Sequence, residues 1–201
     1  MAQMTLDRRE FFKTPIFSVT LPQLLPMQSE YIADVMRMVD SGETLDSDRY
    51  EGLQTEATLF ERQESHWRML HDAFVKLCEA IEKDERERGG QLRREFKFVR
   101  AACWAYIQTA DTGKTDFHTH LPNRWSAVYY LKIPSDMPDL EGGTAFDDPR
   151  QPVTNDEVVV KFGEGEMCIF PSWLRHAPVP SPSTHETRIT LAMDALYLPA
   201  Q

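Results

Sequence analysis

Phe96-Lys97-Phe98-Val99-Arg100-Ala101-Ala102-Cys103-Trp104-Ala105-Tyr106-Ile107 is the stretch on which the fold turns. Side chains alternate along an extended chain, so Phe96, Phe98, Ala102, Trp104 and Tyr106 share one face, and Val99, Ala101, Cys103, Ala105 and Ile107 the other. Apolar residues on both faces predict a strand covered from both sides, which needs at least two further layers. Downstream, similar texture predicts strands over residues 125–132, 157–162, 166–170 and 188–197, separated by Pro134, Gly142-Gly143, Gly163, Gly165 and Pro171.

Upstream the period changes. Tyr31, Ile32, Val35, Met36 and Val39 fall on one helical stripe, with Ser29 as a candidate cap and Gly42 as a stop. Residues 41–54 are polar and read as a loop, and 11–17 as a short extended segment. Trp67, Leu70, Phe74, Leu77, Cys78 and Ile81 then mark a longer amphipathic helix ending by Gly89-Gly90. The mixed charges from Glu82 to Arg88 suit the solvated end of that helix. Helices first and short strands afterwards predict one α+β domain over 1–201, mainly helical in 1–94, with a β-sandwich or barrel core in 95–201.

At 201 residues the chain is long enough to bury a proper core. Thirty-two acidic residues against 22 basic ones give a net charge of −10, which repels phosphate backbones and anionic lipid, so no nucleic acid or membrane partner is expected. Cys78, Cys103 and Cys168 are odd in number and contain no Cys-x-x-Cys pair, so neither a disulfide framework nor a zinc knuckle is indicated. With no basic and apolar leader and no run of about 18 apolar residues, the expected location is a reducing cytoplasm.

The chemistry concentrates in Asp116-Phe117-His118-Thr119-His120. On a strand, His118 and His120 point to the same side and reach one ion. His176, in Phe170-Pro171-Ser172-Trp173-Leu174-Arg175-His176, offers a third imidazole, and Arg188 a guanidinium for an acidic co-substrate. Three ligands on one face of an octahedron leave the other face open for oxygen and a chelating molecule, as in mononuclear non-haem iron oxygenases. His185 lies in a polar loop and His66 and His71 are five apart, so ordinary surface or packing roles suit them.

Gly113, His118-Thr119-His120, Tyr130-Leu131, Gly142-Gly143-Thr144-Ala145-Phe146, Gly165-Glu166-Met167, Phe170-Pro171, His176 and Arg188 together resemble the iron(II)/2-oxoglutarate-dependent oxygenases, above all the prolyl-hydroxylase-like branch. Ser126-Ala127-Val128-Tyr129-Tyr130-Leu131, Asp148-Pro149-Arg150 and Thr14-Pro15-Ile16-Phe17 are similar to a group of small oxygenases within it. The resemblance implies a double-stranded β-helix, a jelly-roll or cupin-like barrel, with the N-terminal helices packed against it. It implies Fe(II), 2-oxoglutarate as co-substrate and O2, with His118 and His176 as iron ligands. Arg188 would grip the far carboxylate of 2-oxoglutarate in a two-pronged contact, and Thr190, on the same strand face, would add a hydroxyl.

One residue departs from the family pattern, because His120 stands where an aspartate or glutamate is usual. Either His120 binds iron, or it sits behind the ligands while Asp116, Asp147 or Asp148 supplies a carboxylate, or the position is left to water or an anion. Trp125 and Trp173 lie close in sequence to the ligands and are candidates for lining a substrate pocket, and 133–142 for a lid or a plain hairpin connection. The expected reaction is hydroxylation, or another oxidation, of a small molecule such as an amino acid or a biosynthetic intermediate, by a monomer or homodimer. Two rivals are a three-histidine cupin dioxygenase that dispenses with 2-oxoglutarate and a non-catalytic metal-binding barrel. Arg188 separates the first, since such a cupin has no use for it, and no glutamate follows the pair between Leu121 and Arg124.

Overall fold

The computed structural model describes residues 13–45, 52–89, 94–139, 141–150 and 157–200. Its elements run β1 (Phe17–Thr20), α1 (Gln28–Ser41), β2 (Thr44–Leu45), β3 (Leu53–Thr55), α2 (Ser65–Gly89), β4 (Phe96–Gln108), β5 (Trp125–Lys132), β6 (Thr144–Asp147), β7 (Glu157–Val160), β8 (Glu166–Pro171), β9 (His176–Pro178) and β10 (Arg188–Pro199). Seven strands form a major sheet in the order β1-β8-β5-β10-β4-β3-β2, and three form a minor sheet in the order β7-β6-β9. The pairings are antiparallel. This is a double-stranded β-helix with N-terminal helices packed on it.

Strand alternation divides the major sheet into two chemically different faces. Cys103, Ala105 and Ile107 of β4, Trp125, Ala127, Tyr129 and Leu131 of β5, and Ile189, Leu191, Met193 and Ala195 of β10 share a core with Val35 of α1 and Trp67, Leu70 and Phe74 of α2. The opposite parity holds Tyr106, Val128, Tyr130, Phe170, Arg188, Thr190 and Asp194. Tyr130 and Phe170 form a second apolar cluster with Phe146 of the minor sheet. The helices therefore seal one face, and the other is left to line the interior of the barrel.

Three sequence expectations change. The stretch 96–107 is covered on both faces only from Cys103 onward; Val99 is 48% exposed, because β3 pairs with β4 only at Tyr106 and Ile107. The polar stretch 41–54 contributes β2 and part of β3, so the N-terminal part supplies three strands to the major sheet besides its helices. Ser29 does not cap α1, which starts from Met27 after a 3-10 turn over Leu25–Met27, whereas Gly42 ends it in the left-handed conformation (φ 75°). Of the predicted 11–17 segment, Phe11 and Phe12 lie outside the described residues, and Phe17 opens β1. Gly165 is required where it stands: its φ is +79°, and a Cβ there would lie 2.3 Å from Leu25 Cδ2.

The helices are clasped by a buried acid. Asp34 of α1 accepts hydrogen bonds from Trp67 Nε1 (3.0 Å) and Arg37 Nη2 (2.7 Å) and lies 2.8 Å from His66 Nε2. The Tyr31 hydroxyl donates to the His66 carbonyl at 2.5 Å. His66 is thus a buried structural residue. Asp34→Ala leaves the indole N–H without its acceptor inside the core and is expected to cost about 3 kcal/mol. For a chain of this length that lowers the melting temperature by roughly 6–12 °C, to be read by calorimetry; an unchanged melting temperature would show the clasp to be dispensable.

Candidate metal centre

His118 and His120 do not lie on a regular strand. They sit in an extended segment anchored to the turn before β9 and to β9 itself. His118 N–H donates to His176 O and His176 N–H to His118 O, both at 3.0 Å, and His120 N–H donates to Ser172 O at 2.9 Å. These backbone bonds bring the distant His176 beside the pair. The expected same-side placement of i and i+2 is seen in the rings, which stack with centroids 5.1 Å apart and an interplanar angle of 20°. His176 lies 4.7 Å from His118 and 4.9 Å from His120, centroid to centroid. One nitrogen of each of the three rings lies within 4.8 Å of the others, the spacing a shared ion requires.

The other nitrogen of each ring is occupied. His118 Nδ1 is 2.8 Å from Asp116 O, His176 Nδ1 is 3.0 Å from Leu174 O, and His120 Nδ1 is 2.8 Å from Asp194 Oδ1. A carbonyl or an ionised carboxylate only accepts, so the proton belongs on Nδ1 and the Nε2 lone pair faces the centre. Burial pushes the His176 pKa down to about 3, with repulsion from His120 and His118 adding to it, and burial lowers His118 as well. Both are neutral imidazoles at pH 7, the form that binds metal.

The three rings face a cavity also lined by Gln54, Trp104, Tyr106, Thr144, Phe170, Arg188 and Thr190 among others. Arg188 is 1% exposed, donates to Gln108 Oε1 and stands 5.5 Å from the Tyr130 ring centroid. Its Nε and the Gln108 Nε2 are buried donors with no acceptor among the described residues. Burial works against the guanidinium charge and lowers its pKa. A buried cation beside orphaned donors fits a site built for an anion. The residues present thus suit both an imidazole-bound metal and a carboxylate ligand.

The carboxylates considered as substitutes for His120 are engaged elsewhere. Asp147 pairs with Arg175 at 2.5 Å and Asp148 with Arg150 at 2.6 Å, while Asp116 is exposed and contributes its carbonyl to His118. The two tryptophans do not line this cavity. Trp125 belongs to the helix-facing parity, donates to Glu82 Oε1 at 2.6 Å and packs edge-on to Phe17, and Trp173 is 46% exposed; both border a separate surface pocket with Leu121 and Pro122. The described residues of 133–142 are tied to their neighbours, with Gly142 N–H on Pro180 O, Ser183 N–H on Glu141 Oε2 and His185 N–H on Asp136 Oδ2. Asp194, Gln108, Gln54 and Trp104 were not singled out as site residues from sequence. Asp194 had a signal: it shares parity with Arg188 and Thr190, and a carboxylate on a barrel-facing position is anomalous.

Residues 102–194 match the family described as "Putative 2OG-Fe(II) oxygenase", a span that contains each of the three histidines, Arg188 and Thr190. Over that span the chain is similar to the 2OG-Fe(II) oxygenases. Solved structures agree on the fold. A Pseudomonas putida prolyl-4-hydroxylase superposes with a TM-score of 0.62 at 16% identity, covering 91% of this chain and 92% of that one. AviO1 from Streptomyces viridochromogenes Tue57 gives 0.64 at 14% identity, covering 94% and 93%. The epimerase SnoN, solved with Fe3+, alpha-ketoglutarate and nogalamycin RO, gives 0.63 at 15% identity, covering 89% and 78%. A search of curated protein sequences returns no match. The match and the fold together support placing this chain among the oxidoreductases that work with iron(II), 2-oxoglutarate and O2. Among its described residues, no helix is long and apolar enough to cross a membrane.

Proposed function

We propose that this protein is a 2OG-Fe(II) oxygenase that oxidises a small molecule, such as an amino acid or a biosynthetic intermediate, with hydroxylation as the default outcome. The observation that carries this is the joint lining of one cavity by three converging imidazoles and a buried guanidinium with no carboxylate partner among the described residues. When bound, iron(II) and 2-oxoglutarate supply the activation of O2 that yields succinate, carbon dioxide and an oxidised substrate. His118, His120 and His176 hold the metal from one side, and their Nδ1 acceptors keep the rings aimed. Arg188 receives the far carboxylate, with the Thr190 hydroxyl beside it. Trp104, Val128, Phe170 and Pro178 line the same cavity and exclude water.

Strands from both ends of the chain share one sheet, which favours a single folded domain over 1–201. Three free, buried cysteines suit a reducing cytoplasm.

The test is anaerobic addition of 2-oxoglutarate to the iron(II) protein. A charge-transfer absorption that needs both components is expected, followed on admitting O2 by succinate formation that a substrate panel accelerates. Iron(II) protein that binds 2-oxoglutarate no better than the metal-free protein does would sink the reading.

A further inference from the structure

Asp194 lies inside the barrel, 8% exposed, and among the described residues no lysine or arginine pairs with it. Its Oδ1 is 2.8 Å from His120 Nδ1 and accepts from the Ser126 hydroxyl at 2.6 Å; its Oδ2 accepts from Asn123 Nδ2 at 3.1 Å. Ser126 in turn lies 2.8 Å from the buried Ser172 hydroxyl, and Asn123 Nδ2 also donates to His120 O at 2.9 Å. Ser126 and Asn123, with Ser172 behind Ser126, thus fix one carboxylate behind the ring of one histidine. Burying an unpaired carboxylate is costly, and hydrogen bonds from neutral donors offset only part of that cost. A cation on the far nitrogen of the same imidazole is the remaining partner the geometry allows.

We infer that Asp194 is a positioning residue that supplies, one imidazole behind the metal, the negative charge that a carboxylate ligand would otherwise supply at the position of His120. This rests on the reading of the three histidines as iron ligands. Three neutral imidazoles leave iron(II) one charge more positive than two imidazoles and a carboxylate do. Asp194 returns that charge to the site and, by taking the Nδ1 proton in a hydrogen bond, makes Nε2 of His120 a better donor to the metal. The position where this chain departs from the family pattern is also the one whose histidine is backed by a carboxylate; His118 and His176 are backed by backbone carbonyls.

A competing arrangement has the same atoms, in which His120 is protonated and forms an ion pair with Asp194 that keeps Nε2 from binding. The two differ in sign. Asp194→Asn keeps an oxygen to accept from His120 and removes the charge. If Asp194 supports ligation, anaerobic titration shows iron(II) affinity falling by about 10- to 100-fold, and the Fe(III)/Fe(II) midpoint potential rises because the oxidised ion loses the more stabilisation. Unchanged or tighter iron(II) binding in Asp194→Asn overturns the inference.

Ser126→Ala takes one donor from Oδ1 and leaves the charge in place. A smaller loss of affinity with an unchanged potential is expected. A potential shift equal to that of Asp194→Asn assigns the effect to packing and overturns the inference, as does the absence of any loss in Ser126→Ala where Asp194→Asn does not fold. Wild-type protein that binds no iron(II) overturns both this inference and the ligand reading beneath it, whereas wild-type binding with an indifferent Asp194→Asn overturns this one alone.

Discussion

Replacing Arg188 by alanine is expected to weaken 2-oxoglutarate binding by about 100- to 1000-fold while leaving iron(II) affinity within a few-fold of wild type. The guanidinium lies at the start of β10, on the barrel-facing parity, 1% exposed and without an acidic partner among the described residues. Gln108 Oε1 fixes one arm, while the Arg188 Nε and the Gln108 Nε2 lack acceptors among the described residues. A dicarboxylate anchored to a metal on the three histidines at one end would bring an anion to this point. Losing a desolvated, two-pronged, charge-assisted contact costs about 3–4 kcal/mol, which sets the range. Arg188→Lys keeps the charge, loses the planar fork, and is expected to recover only part of the affinity. The experiment is anaerobic titration of 2-oxoglutarate into iron(II)-loaded wild type and both variants. Equal affinities would remove 2-oxoglutarate from the site and return the three-histidine cupin reading to favour.

What could be read in the sequence followed the reach of alternation and period. β5 occupies residues 125–132 as expected, and Gly42 ends α1, because long patterned segments and a left-handed terminator leave plain traces. β6 and β9 left none, since four and three residues are too few to show a period, and β7 stops at Val160 where continued apolar texture suggested Phe162. The histidine pair was legible through its spacing, whereas the nearness of His176 depends on backbone bonds that no spacing reveals. Sequence proximity misled for Trp125, five residues after His120, since its parity sends the side chain to the helices. Asp194 escaped for the opposite reason: 74 residues separate it from His120, and its partnership arises only when β10 lies beside β5.

His176→Ala is expected to lower iron(II) affinity by more than about 100-fold, beyond the range of outer residues, and to abolish iron-dependent succinate formation with the fold intact. The fold survives because the link between His118 and His176 is made by backbone groups, which alanine retains. The ring itself packs against Phe170 at 4.6 Å, so its removal opens a small space in the second apolar cluster and no more. A second signature concerns acid. Burial holds the folded-state pKa of His176 at about 3, below the ordinary histidine value, so below pH about 6.5 the unfolded metal-free chain binds a proton that the folded one refuses. Stability from this group is therefore complete above pH 6.5 and declines as pH falls toward 3. Between pH 7 and 5 the metal-free wild type should lose about 2 kcal/mol that the alanine variant does not lose. Titrating groups remote from the three-histidine cluster are common to both proteins and cancel in the difference. Urea unfolding at the two pH values measures it, and parallel acid limbs, or an alanine variant that holds iron(II) as tightly as wild type, would mean that this imidazole is neither buried as described nor bound to the metal.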